Sequence, residues 1–441
     1  MKKIITLLVT TLFLASCLPQ NMQVPQSPLL PFLERKSGLI GYIGSDWNIY
    51  TMDQAGGHKT AYTKDAVVPK TATDAFHYYV YPAFSPDGNS LGFVGVSGQG
   101  TINSSDVYIA SVEGSTKKVY SSKAEHPFFL YWSPDNTNLG FLSSTSDGQS
   151  MILQSVSSDS QDRTVIDTGA PYYWSWAPDG KTMIVHSGSS QSAAPDHLAF
   201  LRVGSDITED SVDSVPAAFQ SPAWSPDGSH ILMTRLDAKT KKNEIIVTDA
   251  HGKYQKTIGT FNLNAGFAWS NQGDKLAYIE GKKSIGAGVL GTLHVLDLKT
   301  SKELFKDTAN DAFGFFWSPN GEKVAYFIPK LIQSSSSSSS GQTDSSGQAQ
   351  QQLALQLNVL DVKSGQSKDL FTFQPTEQFA AILPYFDQYS QSATIWSPDN
   401  NNLVLSFVAS DGTPGIAVVA ASGQLEPRIL TPGYLAFWSK Q

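Results

Sequence analysis

The sequence predicts an all-β fold, a closed β-propeller of four-stranded antiparallel blades, from three observations. An aromatic-Ser-Pro-Asp-Gly motif recurs through most of the 441 residues at steps near 45. An apolar strand follows each copy. Incomplete units at the two ends of the repeat complement each other. A self-similar period of this size, holding four short strands, is the sequence signature of a propeller blade.

The motif occupies residues 84–88, 132–136, 176–180, 224–228, 269–273, 317–321 and 396–400, with a stub at Trp438-Ser439. Its aromatic residues are separated by 48, 44, 48, 45, 48, 79 and 42 positions. Ser-Pro-Asp-Gly suits a type I turn: Pro presets φ at the second position, Asp favours the third, and Gly takes the left-handed fourth. Asn136 and Asn400 stand where Gly is otherwise found, and Asn tolerates that conformation best among the remaining residues. Apolar strands follow, as at Leu91 to Val94, Leu139 to Leu142 and Val324 to Phe327. Further strands, such as Val107 to Ile109 and Arg428 to Thr431, complete each unit.

The segments 39–43, 48–52 and 59–63 read as the last three strands of a blade without its first. Tyr434 to Trp438 reads as a first strand without the others. Joined, the N- and C-terminal strands share one closing blade and leave no exposed edge. Seven repeats plus this composite make eight blades; seven blades is the alternative if the weakest repeat is irregular. The long step of 79 holds a Ser/Gln-rich tract, 333–352, too polar to bury a core and expected to be a disordered insertion loop.

These motifs resemble the TolB-type, WD40-like (PD40) propeller repeat over roughly residues 38–441. The resemblance implies that each aromatic ends the innermost strand of a blade and that the turn leads outward. It is nearly silent on function, because propellers host many activities. Relatives in the prolyl-oligopeptidase class add a hydrolase domain, but no Gly-x-Ser-x-Gly elbow occurs here. TolB's additional N-terminal domain has no counterpart, so its particular role does not transfer.

The chain begins with Lys2 and Lys3, an apolar stretch from Ile4 to Phe13, and Leu14-Ala15-Ser16-Cys17. This reads as a signal peptide over 1–16 that is too short to span a bilayer. The tetrad resembles the bacterial lipobox, which implies lipidation of Cys17, the only cysteine. An ordinary signal peptide with an incidental Cys is the alternative. Residues 17–37, with Pro19, Pro25, Pro28 and Pro31, read as an extended tether. The expected location is extracytoplasmic, lipid-anchored to the cell membrane or outer membrane. Leu18 in place of Asp after the Cys points to the outer membrane.

A net charge of −8 and the lack of a basic run argue against nucleic acid as a partner. None of the eight histidines forms a zinc-binding spacing, so no metal ligand and no cofactor is assigned. One motif aspartate per repeat means turn chemistry, and no catalytic residue is assigned. The segments before the inner strands, which ring the channel, are rich in aromatics. His77, Tyr78, Tyr79, His126, Phe128, Tyr172, Tyr173, Phe313 and Tyr385 are candidates for a binding rim. The competing reading is that they are core, packed between blades. The expected function is a membrane-tethered module or scaffold that binds an envelope protein, peptide or glycan. The alternative is a hydrolase or lyase with its site in the central channel.

Overall fold

The computed structural model describes residues 38–160, 162–188, 197–204, 206–212, 214–285, 288–333 and 351–441. Cys17, the tether and residues 334–350 of the Ser/Gln tract lie outside the described residues. The strands flanking that tract run to Gln333 and resume at Gln351, which pair with each other.

The turns form as their residues dictate. In the first, Gly88 N donates to Ser85 O at 2.9 Å. The Ser85 hydroxyl donates to Asp87 at 2.6 Å and accepts from Ser90 N at 2.9 Å. The same triangle joins Ser133 with Asp135 and Asn138, and Ser397 with Asp399 and Asn402. The fourth position is left-handed throughout, with φ of 70° at Gly88, 63° at Asn136 and 65° at Asn400. The two asparagines also do what glycine cannot. Asn136 Oδ1 accepts from Asp87 N at 3.0 Å, and Asn400 Oδ1 from Asn320 N at 2.8 Å, which ties each turn to its neighbour.

The strands assemble into four-stranded antiparallel sheets over residues 75–122, 125–169, 172–211, 223–261 and 265–306. A ten-stranded sheet runs from Gly314–Trp317 through Arg428–Trp438 and on into residues 40–61. This repeated antiparallel architecture is that of a β-propeller. The last strand, Arg428–Trp438, serves two neighbours. Its first half pairs with Pro414–Ala420 and its second with Ile40–Gly44, where Ile40 faces Trp438. The change of partner falls at Pro432-Gly433, where proline supplies no donor to a ladder. Leu39 and Ser439 exchange two hydrogen bonds of 2.8 Å, so the two ends are joined as the terminal segments predict.

The motif tryptophans fasten each sheet to the preceding one. Trp132 Nε1 donates to Ala83 O at 3.0 Å, Trp269 Nε1 to Ala223 O at 2.9 Å, and Trp396 Nε1 to Phe316 O at 2.9 Å. Trp176 and Trp317 bond in the same way to Tyr131 O and Ala268 O. The acceptor is always the residue just before the preceding motif's aromatic. The indole thus buries a large apolar surface and satisfies its own N–H on the neighbouring backbone. Trp224 is the departure: its Nε1 has no partner among the described residues.

Replacing Trp396, which is fully buried, by Phe removes its bond to the Phe316 carbonyl and leaves a gap in the seam. The expected loss in urea unfolding is about 1–3 kcal/mol. Trp224→Phe should lose distinctly less, because it removes no hydrogen bond. Equal losses would show that ring volume, not the indole bond, holds the seam.

A helical plug and an aromatic cavity in the channel

The last motif is preceded by a helical insertion that the strand periodicity does not reveal. It comprises α1 (Glu377–Ile382), a 3-10 turn (Leu383–Tyr385) and α2 (Phe386–Ser392). Thr376 caps α1 by accepting from Phe379 N at 3.3 Å. Phe379, Ile382, Leu383 and Phe386 are all buried. Their i, i+3, i+4, i+7 spacing is that of a helical face, so the signal is present in the sequence.

α2 meets inner strands from several sheets. Phe386 packs on Phe315 with ring centroids 4.7 Å apart, and it approaches Gly266 so closely that a Cβ there would lie 2.7 Å from its ring. Tyr389 packs edge-on against Phe129 at 4.9 Å. Gln388 accepts from Trp174 N at 3.1 Å and donates to Trp174 O at 2.9 Å, pairing with the strand edge as another strand would. Gln391 donates to Ser221 Oγ and Pro222 O. This polar face meets the sheets where the inner strand Ala223–Trp224 has only two residues. Lys440 donates to Gln391 O at 2.7 Å, placing a cation at the negative end of the helix.

Asp387, 7% exposed, accepts from Ser221 N at 3.4 Å and Gln388 N at 3.0 Å. Burial outweighs these bonds and pushes its carboxyl up to about 7. It lines a recess of about 350 Å³ on the turn side of the plug, together with Trp176, Trp224, Trp269, Trp317 and Lys440.

At the other mouth lies a larger cavity of about 550 Å³. Its walls carry Trp47, Tyr78, Tyr81, Phe128, Tyr173, Tyr385 and Tyr389, and among the described residues Glu377 is the one charged side chain in its lining. Trp47 and Tyr81 have left-handed backbones, with φ of 64° and 57°. For bulky side chains this is strained, and such strain concentrates at sites of function. Trp47 O accepts from Tyr79 N at 3.1 Å, which holds the strained loop in place.

The candidate rim residues divide. Tyr78, Phe128, Tyr172, Tyr173 and Tyr385 line the cavity. Tyr172 is 3% exposed and its hydroxyl donates to Asp167 at 2.7 Å; Tyr385 is 38% exposed. His77, Tyr79, His126 and Phe313 do not line it. Tyr79 and Phe313 are buried in the core. The Tyr79 hydroxyl donates to Asp65 at 2.7 Å, which, with burial, raises its pKa. His77 bonds to Ser97 and Tyr79, and His126 to Ser105. Among the described residues, no group of three or more His, Cys, Asp or Glu is placed to hold a metal ion. No helix among them is long and apolar enough to cross a membrane.

No family model matches the chain, and no curated protein matches it. Solved structures do. A dihydro-heme d1 dehydrogenase in complex with DHE is similar over 96% of this chain and 78% of its own, at 13% identity and a TM-score of 0.52. The β-propeller domain of the Trilobed protease from Pyrococcus furiosus is similar over 81% and 98%, at 11% identity and a TM-score of 0.47. TolB from Acinetobacter baumannii is similar over 95% and 86%, at 12% identity and a TM-score of 0.38. At such identities the likeness is one of fold.

Two outcomes test the plug. Gly266→Ala forces Phe386 to shift and should destabilise the protein by about 1–3 kcal/mol in urea unfolding, with Phe386→Leu restoring part of the loss. Asp387 keeps its proton in the folded state up to pH about 7, whereas the unfolded chain loses it near pH 4. Its contribution to stability is therefore full below pH 4 and falls as pH rises to 7, by about 1.4 kcal/mol per pH unit. Asp387→Asn should remove this slope, matching the parent at pH 4 and exceeding it in stability at pH 8.

Proposed function

We propose that the chain is a lipid-tethered, extracytoplasmic binding module of the cell envelope whose aromatic cavity receives a partner. The ring is read as eight blades, with the strand Arg428–Trp438 closing it. The observation that carries the functional reading is the strained pair Trp47 and Tyr81, held at the wall of a 550 Å³ apolar cavity. Binding sites for small ligands and side chains are concave, mostly apolar and largely pre-formed. Here α2 closes the floor, so a ligand enters from one mouth only. The lipobox at Leu14-Ala15-Ser16-Cys17 supports the tether.

Two experiments test this reading. A fatty-acid analogue supplied to cells producing the protein should label the full-length chain, and Cys17→Ser should abolish the label. A photo-activated cross-linking residue at Tyr385 should trap one defined partner. The same residue at Lys181, on an exposed turn, should not, and Phe128→Asp should prevent trapping from Tyr385. Identical products from both sites would refute the cavity as the binding surface.

A second reading, a hydrolase or lyase acting in the channel, is favoured by Asp387. A buried carboxyl titrating near neutrality is suited to general acid-base work. Turnover of an envelope polysaccharide or peptide, lost in Asp387→Asn, would establish that reading in place of the first.

A further inference from the structure

Among the described side chains lining the cavity, none is Lys, Arg or His, and the single charge is that of Glu377. Glu377 lies in the first turn of α1, is exposed, and has no cationic partner within 4 Å among the described residues. Of the rings that line the cavity, Tyr81 and Tyr385 are the exposed ones, at 37% and 38%. Trp47 and Tyr78 are tilted by 56° with centroids 5.2 Å apart, and Tyr173 and Tyr385 by 60° at 6.5 Å. Aromatic faces attract cations through their quadrupole, best where water is excluded. One unpaired carboxylate at the rim adds attraction of the same sign and repels an anion.

We infer that the cavity takes a peptide segment of a partner protein in which a Lys or Arg side chain is flanked by apolar or aromatic residues. The apolar side chains fill the cavity, and the cation lies among the rings within reach of Glu377. This inference rests on the binding reading above and specifies its ligand. An acidic peptide is disfavoured by Glu377. A wholly apolar peptide leaves the carboxylate without a partner.

The probe is the blocked tetrapeptide acetyl-Phe-Leu-Lys-Phe-amide, compared with versions carrying norleucine or glutamate in place of lysine. Binding to the purified full-length protein is read by titration calorimetry. The lysine peptide should bind about 5- to 20-fold more tightly than the norleucine peptide, and the glutamate peptide most weakly. Glu377→Gln should weaken only the lysine peptide, by about 2- to 5-fold. Tyr173→Ala should weaken all three. Equal or tighter binding of the norleucine peptide, or no effect of Glu377→Gln, overturns the cationic assignment while leaving the cavity as a binding site. Failure of all three to bind, or binding unaffected by Tyr173→Ala combined with Phe128→Ala, overturns the cavity reading itself.

Discussion

The hydrogen bond from a motif indole to the backbone of the preceding sheet is the interaction on which this architecture depends. A propeller blade pairs within itself through its ladder, but adjacent blades meet only through side chains. Apolar contact alone would leave their angle and height loosely set. The indole adds direction, because its N–H must reach one carbonyl on an inner strand. The same bond satisfies the indole N–H inside the seam. One residue type therefore solves two problems, blade register and a buried donor, which suits tryptophan to lead the motif in most copies. Phe84 stands first in the series and supplies no such bond.

Unpaired backbone on the inner edges explains the plug. At Trp224 the indole bond is missing and the inner strand has only two residues, and there α2 contributes its amides and carboxyl. Gln388 takes both backbone groups of Trp174, acting in place of a strand. The helix is thus structural at one face and a cavity wall at the other. Asp387 is the exception within this arrangement, an acid buried beside few donors and destabilised in its charged form.

Much of the fold is legible in the sequence because its information is local. Ser, Pro, Asp and Gly specify each turn through their own backbone preferences, and Asn136 and Asn400 adopt the left-handed conformation their position requires. The complementary end segments pair as read. The inter-turn bonds of those asparagines were not legible, since they depend on the distance between blades. The helical insertion carries its own pattern at Phe379, Ile382, Leu383 and Phe386, but a repeat of strands draws attention to period two. Which of the candidate rim residues line the cavity was not legible, for a related reason. Tyr78 and Tyr79 are neighbours on one strand, so they face opposite sides, one to the cavity and one to the core. Composition cannot distinguish them.

The helix that bridges Trp174 and Ser221 is drawn from residues more than 160 positions later in the chain. During synthesis, the sheets over 172–211 and 223–261 are complete long before α2 exists. Until it arrives, the edge of Trp174 and the two-residue strand beside it lack their partners. The pairing of Ile40–Gly44 with Arg428–Trp438 comes later still. Contacts so distant in sequence make folding slow, because a long loop must close before they contribute. The growing chain must therefore pass through an open-ended array of sheets with bare edges, since the segments that join its two ends are the last to be made.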